Sequence, residues 1–134
     1  DTARSRGLGD VYKRQAQSME EVYQAQVYPF WWKIAAPADQ NEWEQVTRTL
    51  DKHDPQAGVI LLGKNAPIED FAEWFRLVRS SPYACGFAIG RSIFWQAWLD
   101  FTSGKLASEE IRDIISQHYL HLIELWDSAT NQES

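Results

Sequence analysis

Three short apolar runs constrain this chain more than any other feature. They are Phe30-Trp31-Trp32-Lys33-Ile34, Gly58-Val59-Ile60-Leu61-Leu62-Gly63 and Cys85-Gly86-Phe87-Ala88-Ile89-Gly90. Their centres lie a little under thirty residues apart. That is the length of one strand-loop-helix-loop unit, and close to one eighth of a roughly 250-residue (β/α)8 barrel. The runs are apolar throughout rather than alternating, as parallel strands covered on both faces are.

Helical patterning fills the intervals. A helix is expected from Asp39 or Asn41, either of which can act as an N-cap, to about Lys52, where Asp54-Pro55 stops it. Its apolar positions Trp43, Val46 and Leu50 keep the three-four spacing of one buried stripe. A second helix should begin near Pro67, with Glu69 and Asp70 suited to the positive helix end and Phe71, Trp74, Phe75 and Val78 facing inward. Ile93 to Phe101 reads as helix, Ser103-Gly104 breaks it, and Ser108 with Glu110 to Trp126 forms a long final helix. Residues Gln17 to Gln26 read as the tail of a helix preceding the first strand. The order β-α-β-α-β-α predicts an α/β fold with a parallel sheet.

With 134 residues the chain is about one domain long, well short of a complete barrel. At 44% apolar and 24% charged it has an ordinary globular composition, and its formal charge of −6 argues against a nucleic-acid surface. No apolar run is long enough to span a membrane. The single cysteine, Cys85, reads as a small buried side chain in a reducing, cytoplasmic compartment.

The first residues read differently from the rest. Ser5 to Gln15, SRGLGDVYKRQ, resembles the translation of a transposase-type sequencing adapter, so residues 1–15 are expected not to be native. The remaining residues, 16–134, hold 9 basic and 17 acidic side chains, a net −8. They are expected to be the C-terminal portion of a longer protein. Three strands alone would leave both sheet edges unpaired, so this portion is expected to be poorly soluble or partly molten in isolation.

In parallel α/β folds the chemistry sits at the C-terminal ends of strands. Lys33 interrupts an apolar run, and an amine held in a barrel mouth can attack a carbonyl to form a Schiff base. The plain alternative is a strand-end lysine whose stem packs while its ammonium reaches water. Gly63-Lys64-Asn65 and Gly90-Arg91-Ser92 read as a phosphate-binding pair: glycine admits an anion close to the backbone, amides point outward at a helix start, and each loop adds a cation. Their alternative is two simple turns. The spacing matches no nucleotide-binding motif. His118, His121 and Glu124 could share a helix face, but packing or solvated histidines are the expected reading rather than a metal site. His53, at a helix C-terminus, suits the dipole there.

The series Tyr28-Pro29-Phe30-Trp31-Trp32-Lys33, then Asp54-Pro55 with Gly58 to Gly63 and Asn65-Ala66-Pro67, then Gly86-Phe87-Ala88-Ile89-Gly90-Arg91-Ser92-Ile93-Phe94, resembles one bacterial domain family. That family is found behind the sugar kinase 5-dehydro-2-deoxygluconokinase of inositol catabolism, and is similar to the tagatose-bisphosphate aldolase barrels. The resemblance covers residues 20–127. It implies that the three runs are strands six to eight of a TIM (β/α)8 barrel. Lys33 then falls on strand six, where a class I aldolase carries its Schiff-base lysine, and Gly63, Lys64, Asn65, Gly90, Arg91 and Ser92 would cradle the phosphate of a sugar or keto-acid substrate. Such chemistry needs no metal or organic cofactor. A fused kinase domain and a homo-oligomer are compatible with the resemblance. One departure stands out: related sequences often carry a glutamate two residues after the lysine, whereas here Lys33 is followed by Ile34-Ala35-Ala36-Pro37. The alternative is a non-catalytic sugar-phosphate-binding barrel that regulates or scaffolds a kinase.

Overall fold

The structure, a computed structural model, describes residues 15–129. Within them a helix over residues 15–24 (α1) leads into strand β1 (Trp31–Ala35). Helix α2 (Gln40–His53), strand β2 (Gly58–Leu62), helix α3 (Phe71–Val78), strand β3 (Ala84–Ala88), helix α4 (Arg91–Thr102) and helix α5 (Ser108–Ser128) follow. The three strands form one parallel sheet in the order β1-β2-β3. The expected alternation is therefore present, with strand and helix ends displaced by a residue or two except at α3, which begins at Phe71, four residues after the expected start near Pro67. The segment assigned to adapter lies outside the described residues except for Gln15, which is the first residue described in α1.

Local chemistry fixes the helix ends. Asp39 caps α2 by accepting a hydrogen bond from the Glu42 amide (3.0 Å), while Glu42 Oε2 accepts one from the Ala38 amide (2.7 Å). The reciprocal pair satisfies donors that the first helical turn cannot. Burial holds the Glu42 carboxyl above its usual range, outweighing the Ala38 hydrogen bond that lowers it. After Pro67 a single 3-10 turn (Ile68–Asp70) carries the chain into α3. Gly104, at φ +83°, makes the left-handed break between α4 and α5.

One face of the sheet carries the core. Trp32 and Ile34 of β1, Val59 and Leu61 of β2 and Phe87 of β3 pack with Met19 and Tyr23 of α1, Trp43, Val46 and Leu50 of α2, Phe71, Phe75 and Val78 of α3, and Leu122 and Trp126 of α5. Phe75, fully buried, lies at the centre: its ring stands 5.3 Å from Phe87 and 5.1 Å, edge-on, from Trp126. Burying such a ring contributes about 2–3 kcal/mol. Tyr23 is held by a second set of contacts, its hydroxyl accepting from Trp32 Nε1 (2.8 Å) and its ring stacked on His53. His53 and Lys52 both reach Glu20 on α1, at 2.7 and 2.9 Å. The Lys52 hydrogen bond, then His53, hold the Glu20 carboxyl below its usual range against some desolvation.

The other face of the sheet is open. The pleat turns Trp31 and Lys33 of β1 and Ile60 and Leu62 of β2 toward it. On β3 the register shifts between Val59 and Ile60, and Cys85 turns to this side, its Sγ close to Gly58. Cys85 is thus exposed rather than buried, because the irregularity in β3 takes it away from the helical layer. A side chain at Gly86 would meet nothing within 4 Å. Trp31 is 66% exposed and the preceding Phe30 91%.

Candidate anion-binding site

The loops that leave β2 and β3 meet in one cavity of about 310 Å³. Gly63, Lys64 and Asn65 from the first loop and Gly90, Arg91 and Ser92 from the second all line it, with Leu62, Ala88 and Phe94 as an apolar wall. Adjacent parallel strands deliver both loops to the same end of the sheet, so residues 27 positions apart in sequence become neighbours across one cleft.

The first loop is a tight turn. The Ala66 amide donates to the Gly63 carbonyl (3.0 Å), and both intervening residues are left-handed, Lys64 at φ +49° and Asn65 at φ +59°. Positive φ at both central positions is the type I′ pattern, and for a lysine it is strained. Gly63 is required for packing: a Cβ there would stand 3.0 Å from Ile89 and 3.1 Å from the Phe71 ring. The second loop begins α4. Gly90 is its N-cap, accepting from the Ile93 (2.8 Å) and Phe94 (3.1 Å) amides without a capping side chain. Helix-starting amides have no partner within the helix, and they carry the positive end of its dipole.

Ser92 Oγ is buried with no hydrogen-bond partner among the described residues. Unsatisfied buried hydroxyls are uncommon, and one lining a cavity marks a place where a polar ligand atom fits. Lys64 and Arg91 are exposed at the rim, and among the described residues no carboxylate lines the cavity. Two cations, helix-starting amides and a hydroxyl around a pocket lined by no described acid have the chemistry that favours an anion.

Lys33 lies elsewhere than its sequence position predicts. It sits in the middle of β1 rather than at its end, pairs in register with Ile60, and does not line the cavity. Its side chain is on the open face. Leu62, which does line the cavity, is two residues further along that face, about 7 Å at 3.3 Å per residue. Lys33 makes no hydrogen bond or ion pair with any described residue.

The two α5 histidines differ in their surroundings. His118 Nδ1 lies 2.8 Å from the Ile93 carbonyl and ties α5 to the start of α4, while His121 is 3.9 Å from Glu124 at the surface. Among the described residues no three His, Cys, Asp or Glu side chains are grouped to hold a metal, and no helix is long and apolar enough to cross a membrane. Sequence reasoning missed Phe94 as part of the cavity wall. Its position four residues after Gly90 places it one helical turn into α4, back over the loop, and that spacing was the available clue.

A family model described as an uncharacterized protein conserved in bacteria (DUF2090) matches residues 4–130. That span begins within the segment read as adapter. No curated protein and no solved structure matches the chain.

Proposed function

The chain belongs to this bacterial family, DUF2090, and we propose that it forms the C-terminal part of a class I aldolase-like (β/α)8 barrel, its strands being the sixth to eighth. The substrate is a phosphorylated keto sugar or keto acid of carbohydrate or inositol catabolism. The observation that carries this reading is the meeting of Lys64, Asn65, Arg91 and the unpartnered Ser92 hydroxyl in one acid-free cavity beside the face that holds Lys33.

In this reading the phosphate sits on the Gly63–Asn65 and Gly90–Ser92 loops, and the substrate carbon chain runs along the sheet toward Lys33. The lysine amine adds to the substrate carbonyl and water leaves, giving an iminium. As the hydroxyl on the departing carbon gives up its proton to solvent, that carbon leaves as an aldehyde and the iminium takes the electron pair of the breaking carbon-carbon bond; the resulting enamine takes up a proton and is hydrolysed, freeing the second product and the lysine. Cytoplasmic location and a fused sugar kinase belong to the same proposal.

The test is reductive trapping. With dihydroxyacetone phosphate and borohydride, the protein should gain one secondary-amine adduct, on the peptide containing Lys33. Lys33→Met should abolish it, and Arg91→Ala should require roughly tenfold more substrate, the loss of one charge-assisted contact. An adduct elsewhere, or none, overturns the catalytic assignment.

A second reading has its own support: no carboxylate contacts Lys33 among the described residues, and Ala35 stands where related sequences often carry glutamate. The barrel would then bind a sugar phosphate without cleaving it, regulating or scaffolding a kinase. In that case Arg91→Ala abolishes phosphate-ester binding and Lys33→Met leaves it intact.

A further inference from the structure

We infer that the cavity between the two loops reads the carbons next to the phosphate as well as the phosphate itself. It takes a phosphomonoester whose two phosphate-proximal carbons bear no hydroxyl, and Phe94 is the residue that selects for them. The inference rests on the anion site of the proposed function and is independent of imine formation at Lys33. The cavity is amphipathic, and its polar side chains all come from the loops: Lys64 and Asn65 from one, Arg91 and Ser92 from the other. Beneath them Leu62 and Ala88, paired in register at the ends of β2 and β3, make an apolar floor. Phe94 makes a wall. Its ring turns back over the loop, so that a Cβ at Gly90 would stand 3.2 Å from Phe94 Cε1.

None of these three apolar side chains is buried: Ala88 is exposed, Leu62 half-buried and Phe94 39% exposed. Each holds apolar surface that a ligand's carbons gain by covering. The cavity is also larger than an anion alone. Of its volume of about 310 Å³, the five heavy atoms of a phosphate fill at most about half, at roughly 30 Å³ each. Once the four polar side chains hold the phosphate, the side chains left to line the rest among the described residues are Leu62, Ala88 and Phe94. None of them carries a hydrogen-bonding group. A methylene placed there gains burial, whereas a hydroxyl gives up its water without a replacement partner. The cavity therefore discriminates by leaving a hydroxylated carbon unpaired, which is a stronger filter than size.

The test is a ligand series followed by titration calorimetry at about pH 8, where phosphate monoesters are dianions. Inorganic phosphate, methyl, ethyl and n-propyl phosphate, and glycerol 3-phosphate are titrated into the wild-type chain, Phe94→Ala and Phe94→Leu. Wild-type affinity should rise about two- to fourfold per carbon from methyl to n-propyl phosphate, fourfold being the gain of one fully buried methylene. Glycerol 3-phosphate has the same three carbons with two hydroxyls, and should bind no better than methyl phosphate. The readout for Phe94 is the ratio of propyl to methyl affinity within each protein, which a general loss of phosphate binding does not move. That ratio should fall to about one or two in Phe94→Ala and be largely kept in Phe94→Leu. Circular dichroism establishes that each variant is folded, and Phe94→Gln replaces Phe94→Ala if it is not. With inorganic phosphate bound, a flat alkyl series, glycerol 3-phosphate as tight as n-propyl phosphate, or an unchanged ratio in Phe94→Ala overturns this inference and leaves the anion site standing. Failure of every phosphate to bind overturns both.

Discussion

Replacing Gly63 by alanine tests whether the Gly63–Ala66 turn is held by the core beneath it. The added Cβ would stand 3.0 and 3.2 Å from two carbons of Ile89 and 3.1 Å from the tip of the Phe71 ring. Phe71 is only 1% exposed and is wedged against Trp74 and Phe75, so its ring has little room to yield. Overpacking of this kind costs about 1–3 kcal/mol. Alanine also reduces the freedom of the unfolded chain, which returns about 0.4–1 kcal/mol at a position whose φ it can adopt. The net expectation is a loss of about 1–2 kcal/mol. With a urea dependence of roughly 1–2 kcal/mol per molar, the unfolding midpoint falls by about 1 M. Gly86→Ala is the internal control, because its Cβ meets nothing within 4 Å. It should leave the midpoint unchanged or raise it slightly. Inorganic phosphate binding, followed by calorimetry, should weaken in Gly63→Ala and hold in Gly86→Ala, since only the first moves the Lys64-Asn65 turn. Equal midpoints for the two variants would refute the packing account of Gly63.

Ser92→Ala removes a buried hydroxyl that has no protein partner, so the unliganded fold should keep or slightly gain stability while phosphate affinity falls severalfold; lost stability with unchanged affinity would reverse the assignment. Tyr83 is pushed up to about 12 by burial and by its hydrogen bond to Asp51. Its neutral form is favoured in the fold over an unfolded value near 10, so its contribution is full below about pH 10 and disappears as pH rises toward 12. Urea midpoints of wild type should therefore drop between those values, and Tyr83→Phe should flatten the drop. Asp39→Ala should cost about 1 kcal/mol by removing the α2 cap, measured as a lowered thermal midpoint; no change would mean the Glu42–Ala38 contact caps the helix alone.

Much of this architecture was legible in the sequence because the physical signals were local. Trp43, Val46 and Leu50 fall on one stripe, Asp39 precedes a helix it can cap, and Asp54-Pro55 follows one. The two Gly-cation loops were legible as a pair because each ends an apolar run, and parallel pairing of neighbouring strands delivers such ends to one place. Lys33 was misplaced within its strand because the run Phe30 to Ile34 gives no boundary: the strand continues to Ala35, and only pairing with Ile60 settles where the lysine stands. Cys85 was misread for a related reason. Apolar runs suggest strands covered on both faces, but periodicity does not report a register shift, and the shift beside Val59 turns this side chain to the open side. The buried hydroxyl of Ser92 was likewise beyond sequence, since burial of one atom depends on how α4 meets the loop after β2.

The contact between Gln15 and β1 bears on how the sheet can grow. Gly58 donates to the Phe30 carbonyl, so alternate residues of β1 bond β2 while Trp31, Lys33 and Ala35 turn their amides to the free edge. The Ala35 amide is already occupied there by Gln15 Oε1 at 2.8 Å. A strand adding to this edge finds docking positions at Trp31 and Lys33 and a side-chain stopper at the third. Any neighbour must end short of Ala35 or displace α1's first described turn. In this chain, register at the edge is thus set by Gln15, a residue of the segment read as adapter, rather than by β1 itself.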